Sequence, residues 1–269
     1  MYNFYKQLII SHRLSSNIVL KMRKIIDFIL SALCMGSFFL LLVIFQPIQW
    51  IAYQTIGEKA QRRVVEILNF FLVGTLLYIF SKISFTYIER PPLDRRIIFI
   101  ANHQSMHDIP ALIWFLRKYK PVFVSKISLG KGIPSISYNL QKSGAALIDR
   151  KDGKQAIKEI VRMAAQVVEN NQSTLIFPEG TRATTEQLLP FMTGGVAALV
   201  KKIPNAWIVP IAISGNATMN PKGLFPLKSG QNLSWTVLPG FSTDQLNATD
   251  ICQKVESQIN NYRQLLNQK

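Results

Sequence analysis

The sequence predicts an α/β protein: a single mixed-sheet domain flanked by helices, with an N-terminal hydrophobic helical hairpin ahead of it. Three observations carry that prediction. From Arg95 onward, short β-branched or aromatic runs alternate with segments of helical period. Before that point, Phe28 to Gly57 runs without one charged side chain. Finally, two of the strand-like runs end directly at clusters of chemically active residues, the place where open α/β sheets hold their ligands.

The elements follow in order. Residues 1 to 27 form a basic segment with Lys6, Arg13, Lys21, Arg23 and Lys24. The uncharged run from Phe28 exceeds the roughly 20 residues that cross a bilayer core. It is too long for a cleaved signal and has no small-residue exit. Trp50 and Tyr53 suit a headgroup interface. After a basic turn (Lys59, Arg62, Arg63), a second apolar segment runs from Ile67 to Phe80, stops at Lys82 and resumes to Ile88. Positive charge on both sides of the first helix gives no orientation for a single crossing. A helical hairpin inserted into one leaflet is therefore expected, with a true span by the first helix as the alternative and Pro91-Pro92 closing the segment. The chain divides into a basic segment 1–27, a membrane-associated hairpin 28–90 and an α/β domain 91–269.

Within that domain Ile97–Ala101 reads as a strand and Ser105–Lys118 as a helix. Pro121–Ser125 is a strand, Leu129–Pro134 a loop, Ala145–Ile148 a strand and Lys154–Glu169 a strongly periodic helix. Thr174–Phe177 is a strand and Val196–Lys201 a small-residue helix. Trp207–Ile213 and Leu233–Leu238 are strands. Asp250–Leu266 is the closing helix, with Thr249 as its expected N-cap.

The bulk numbers narrow the class. Of the 269 residues 48% are hydrophobic, and 31 basic against 15 acidic side chains give a net charge of +16. Such charge fits nucleic acid or an anionic membrane surface. The apolar N-terminal third and the lack of zinc-finger spacing or long Lys/Arg tracts favour the membrane and predict no nucleic-acid partner. Two cysteines far apart, Cys34 and Cys252, suit a reducing compartment.

The chemistry lies in two stretches. Asn102-His103-Gln104-Ser105-Met106-His107-Asp108 follows the first strand, and Phe177-Pro178-Glu179-Gly180-Thr181-Arg182 follows another. His103 and Asp108 can meet across the first turn of the helix, giving an imidazole held by a carboxylate. That is the base half of a Ser-His-Asp relay with no protein nucleophile, so a substrate hydroxyl can serve instead. His107 adjoins Asp108, but neighbouring helical side chains do not face each other. His103 and His107 are four apart, yet position 104 is Gln, so the zinc-binding His-Glu-x-x-His pattern fails and no metal is expected. In the second stretch Gly180 permits a tight turn, Thr181 offers a hydroxyl and Arg182 a bidentate guanidinium, a set suited to a phosphate monoester. Lys126 and Arg150, each just past a strand, can add charge to the same cradle.

These blocks resemble those of a known family. Asn102-His103 with Asp108 is similar to a His-x4-Asp block and Phe177–Arg182 to Phe-Pro-Glu-Gly-Thr-Arg. Gly144–Arg150 is similar to Gly-x-Ile-Phe-Ile-Asp-Arg, and Val209-Pro210-Ile211 to a Val-Pro-Ile block. In order and in register over residues 95 to about 215, they resemble the 1-acylglycerol-3-phosphate acyltransferases of the glycerophospholipid acyltransferase family. The resemblance implies transfer of an acyl group from acyl-CoA or an acyl carrier protein to the sn-2 hydroxyl of lysophosphatidic acid, giving phosphatidic acid. No cofactor is implied beyond that thioester co-substrate. His103 is then the general base and Asp108 its orienting partner. Glu179, Gly180, Thr181 and Arg182 bind the acceptor's glycerol phosphate, with Arg150 nearby. The implied location is the inner membrane, with the catalytic domain facing the cytoplasm. Two departures stand out: Met192, where Lys is common, and Ala145-Ala146 in place of larger residues. A changed headgroup site would admit another lysophospholipid acceptor. Of the other readings, a lipid esterase wants a Gly-x-Ser-x-Gly elbow, which is absent. A non-catalytic basic membrane-binding protein leaves both motif stretches without a task.

Overall fold

The computed structural model describes the backbone of residues 2–221 and 223–267 and the side chains of residues 19–221 and 223–266. The side chains of Lys6, His12 and Arg13 in the basic segment lie outside these. An eight-stranded mixed sheet organises the chain, in the order β1-β7-β6-β2-β5-β3-β4 with β8 also pairing β6. The strands are β1 (Lys82–Tyr87), β2 (Ile97–Ala101), β3 (Pro121–Lys126), β4 (Ala146–Ile148), β5 (Ser173–Ile176), β6 (Trp207–Ser214), β7 (Asn232–Val237) and β8 (Phe241–Ser242). The helices are α1 (Tyr2–Thr55), α2 (Glu58–Gly74), α3 (Asp108–Phe115), α4 (Ile136–Lys142), α5 (Gly153–Glu169), α6 (Thr193–Lys202), α7 (Asn216–Met219) and α8 (Ala248–Asn267).

The central strand β2 explains the layering. All five of its residues are buried, and its side chains alternate between two faces. Ile98 and Ile100 join a core with Ile160 and Met163 of α5, Val196 and Leu199 of α6, and Val255 and Ile259 of α8. Ile97, Phe99 and Ala101 join a second core with Cys34 and Met35 of α1, Val73 of α2, and Ala111 and Leu112 of α3. An apolar run with no polar face is what a strand covered on both sides requires. Strands β2, β3, β4 and β5 are mutually parallel, and β6 runs parallel to β2. Their carboxyl ends therefore share one edge.

Several elements differ from the sequence reading. The basic segment is not separate: helix α1 runs on from Tyr2 through the apolar run, and Asp27 accepts from the backbone N–H of Ser229 at 3.0 Å. The hairpin turns at Ile56-Gly57, where Gly57 takes φ 103°, and not at the basic turn. Arg62 and Arg63 lie inside α2, paired with Glu58 (3.2 Å) and Glu66 (3.0 Å). The second apolar helix also stops early. After a 3₁₀ turn over Thr75–Ile79, Phe80 adopts φ 53° and deflects the chain. Lys82–Tyr87 then becomes an edge strand parallel to β7, so the sheet claims residues that the sequence reading gave to the hairpin. Its Ser, Thr and aromatic alternation suits a half-covered edge.

Helix α3 starts at Asp108, not Ser105, because the Asp108 carboxylate accepts the amides of Gln104 and Ser105 at 2.7 and 2.8 Å. Those groups serve a turn instead of a helix. Helix α4 had no signal in the sequence: seven residues are too few for a period. The cap of α8 is Asn247, whose side chain accepts from Thr249 and Asp250 at 2.9 and 3.0 Å. Thr249 lies inside the turn that Asn247 caps.

Candidate active site

The turn after β2 is built around Asp108. One carboxylate oxygen accepts from the amides of Gln104 and Ser105 and contacts His103 Nδ1 at 2.8 Å. The other accepts from the side-chain amide of Asn216 at 2.7 Å. Asp108 is fully buried and His103 nearly so. A buried carboxylate is stable only when its lone pairs are met, and here four donors meet them. With Nδ1 held by Asp108, Nε2 is the nitrogen left to take a proton. The imidazole also stacks on Phe177, with centroids 4.2 Å apart and planes at 21°. The strand-end aromatic of the second motif thus fixes the ring of the first.

Asn102 fastens this turn to the sheet. Its side chain exchanges two hydrogen bonds with the backbone of Ile213 in β6, at 2.9 and 2.7 Å. His107 serves differently. It is buried, its Nδ1 lies 3.2 Å from Ser105 Oγ, and its ring meets Phe38 of α1 edge-on at 5.4 Å. Burial lowers its pKa to about 4 against the pull of Asp108, and the charge of Arg182 lowers it further. His107 is therefore neutral at pH 7, and of the two imidazoles in this turn it is His103 that a carboxylate holds. No group of three His, Cys, Asp or Glu side chains that could hold a metal occurs among the described residues.

The second motif leaves β5 at the same edge. Phe177-Pro178-Glu179-Gly180 closes a turn through the Gly180 amide and the Phe177 carbonyl at 3.1 Å. Gly180 takes φ 66°, and a Cβ there would come within 2.1 Å of Met192 Cε. Thr181 and Arg182 are exposed beyond it. Ala183 donates to the His103 carbonyl at 2.8 Å, which ties the two motif loops together. Arg150, past β4, stands within the field of Arg182: burial and that neighbouring cation both lower its pKa. Arg150 and Arg182 thus gather as a cationic pair at the edge that carries His103. Lys126 ends β3 on the same edge and is exposed, but no hydrogen bond or ion pair joins it to the Gly180 loop among the described residues.

Glu179 ties the two loops together. It is buried, and its two oxygens accept from the amides of His103 (2.7 Å) and Leu189 (3.0 Å). It holds the loops in register. Burial raises its pKa to about 7, against the lowering effect of those two amides and of Arg263. Its folded-state pKa lies above the unfolded one, so its contribution to stability is complete below about pH 4.5 and is lost as pH rises through about 7. The melting temperature is expected to fall across that window, and Glu179→Gln should flatten the fall. An unchanged slope in the variant would refute the assignment.

Asn216 is the site residue that the sequence reading missed. It follows Gly215 at the end of β6, beside β2 in the sheet. Gly215 takes φ 86°, and a Cβ there would strike the Asn232 carbonyl oxygen at 1.9 Å. Only glycine lets the chain turn α7 in toward Asp108. The available signal was a polar residue just past a strand-end glycine, as in the other motifs.

Comparison with known proteins gives the chain's likenesses. Residues 82–214, just under half of the chain, match the family described as Acyltransferase. A 1-acyl-sn-glycerol-3-phosphate acyltransferase of Cocos nucifera is 36% identical over 123 residues, 45% of this chain and 38% of that one. One of Haemophilus influenzae is 33% identical over 131 residues, 47% of this chain and 52% of that one. The matched stretch thus spans about half or less of these relatives. The crystal structure of the 1-acyl-sn-glycerophosphate (LPA) acyltransferase PlsC from Thermotoga maritima has a TM-score of 0.75 at 21% identity. It covers 90% of this chain and 97% of that one, and this likeness establishes the fold alone. The matched region runs from β1 to the end of β6 and includes both motif loops. Asn216 lies two residues beyond it.

Proposed function

We propose that the protein transfers a fatty acyl group from a thioester, acyl-CoA or acyl carrier protein, to the sn-2 hydroxyl of 1-acylglycerol-3-phosphate. The observation that carries this reading is an imidazole locked by Asp108 on the same sheet edge as the Arg182 loop. In this mechanism Nε2 of His103 takes the hydroxyl proton as the oxygen attacks the thioester carbonyl. The tetrahedral intermediate collapses, the C–S bond breaks, and the imidazolium returns the proton to the leaving thiolate. Asp108 stabilises the imidazolium during the step. Arg182, Arg150 and Thr181 take the phosphate, and Gly180 lets the backbone approach it.

The hairpin supplies the membrane surface in this reading. Val19–Thr55 is 37 residues long and apolar enough to cross a bilayer. Its inner face nonetheless stays on the domain along its length. Ser31 bonds the backbone of Leu227, Phe38 meets His107, Gln49 donates to the Ser135 carbonyl and Tyr53 meets Tyr138. From Ser31 to Tyr53 that is about 33 Å of helix at 1.5 Å per residue. A helix so committed lies flat in one leaflet more readily than it crosses. Its outer face offers Leu40, Val43, Ile44 and Ile51 to lipid, and the net charge of +16 favours an anionic surface. The domain then faces the cytoplasm from the inner membrane.

The test is a panel of lyso-lipids against acyl-CoA and acyl carrier protein thioesters, using purified protein in detergent and following thiol release and product. Phosphatidic acid formation is expected. Met192, exposed beside Gly180, makes a different lysophospholipid the informative alternative outcome. Binding to anionic vesicles with no thioester consumed would overturn the reading.

A further inference from the structure

Behind the His103–Asp108 pair lies a set of contacts that the reaction as described does not use. Asn216 is completely buried, and its side-chain oxygen has no hydrogen-bond partner. Its one polar bond is the 2.7 Å donation to Asp108. Leaving a buried oxygen unmet costs about 1–3 kcal/mol, so an apolar residue would serve packing better than this one does. The segment is also held from outside. Glu186 accepts from the Thr218 amide (3.3 Å) and hydroxyl (3.1 Å) on α7, and from Gln104 Nε2 at 2.8 Å in the catalytic turn. Arg263 of α8 anchors Glu186 at 2.6 Å. Gln104 in turn accepts from the Ala217 amide at 3.4 Å. Helices α7 and α8 thus brace the turn through Glu186 and Gln104.

We propose that Asn216 is a positioning residue of the reaction: its carboxamide holds the second oxygen of Asp108, and so sets how strongly that carboxylate holds the imidazole of His103. This rests on the acyl-transfer reading for its catalytic consequence, but not for its electrostatics. Donation by Asn216 draws charge from the carboxylate. Without it Asp108 becomes a stronger partner for the imidazolium, and proton uptake at His103 shifts to higher pH. The other charged groups bearing on the pair are Glu179 and Arg182 from the second motif, with Glu186 and Arg263 behind the turn. All of them remain in an Asn216 variant. His107 stays neutral at pH 7 and adds no charge.

The chain holds three histidines, so imidazole nitrogen NMR on the full protein in detergent is assignable with His12→Gln and His103→Gln variants. Asn216→Ala should raise the midpoint of the His103 titration by about 0.5–1 unit, the size of one net hydrogen bond. Asn216→Leu, of similar volume and without a donor, should raise it by a like amount, and Asn216→Ser, which keeps a donor, should fall between parent and Ala. The acid limb of kcat/KM should move by the same amounts with acceptor KM unchanged. A His103 midpoint unmoved in the folded Ala and Leu variants overturns the proposal. So does a fall in activity without movement of the limb. Parent protein that transfers no acyl group would defeat the acyl-transfer reading while the NMR result still stands. If Asn216→Ala does not fold, the Leu and Ser variants decide the matter.

Discussion

Replacing His103 with alanine is expected to lower kcat for acyl transfer by about 10²–10⁴-fold, the usual worth of a positioned general base. Acceptor binding should hold near its parent value, since nothing in the Arg182 loop depends on the imidazole. The loops are joined through backbone groups: the His103 amide to Glu179 and the His103 carbonyl to the Ala183 amide. Alanine keeps both. What it removes is the ring between Asp108 and Phe177, and with it the nitrogen that Asp108 leaves free. Neutral, buried His107 cannot substitute, because its Nδ1 faces Ser105 and its ring faces the hairpin. The measurement is steady-state thiol release together with equilibrium binding of lysophosphatidic acid to the variant. Turnover within a few-fold of the parent would remove His103 from the chemistry.

The second large effect belongs to Arg182. Arg182→Ala should raise acceptor KM by about 10–100-fold, the equivalent of one charge-assisted hydrogen-bond pair at about 1.5–3 kcal/mol. Its effect on kcat should be small, because a phosphate clamp holds ground state and transition state alike. Lysine in its place should recover part of the loss: it restores the charge but not the planar fork. The charge of Arg150 lies near that of Arg182, so Arg150→Ala should act in the same direction and less strongly. A fall in kcat with KM unchanged would show that Arg182 works on the reacting centre and not on the headgroup.

Much of the architecture was legible because it rests on local pattern. Uncharged runs at Ile97–Ala101 and Thr174–Phe177 become buried strands, the second over Ser173–Ile176, and the periodicity after Lys154 becomes α5. Strand-end placement of both motifs followed from the same runs. The failures are equally specific. Lys82–Tyr87 sat next to an apolar helix and was absorbed into it, because an edge strand's weak alternation is hidden by its neighbours. That the Glu179 oxygens turn inward to two amides shows only in the folded chain.

By itself, then, the chain's pattern determined a two-faced sheet, an apolar hairpin and a base placed next to an anion loop, because each depends on residues a few positions apart. The tertiary structure alone decided what stands behind the base. Asp108 and Asn216 lie 108 positions apart and meet only because β6 lies beside β2, with a glycine at its end. Sheet order follows from how whole layers pack, and no local periodicity encodes it.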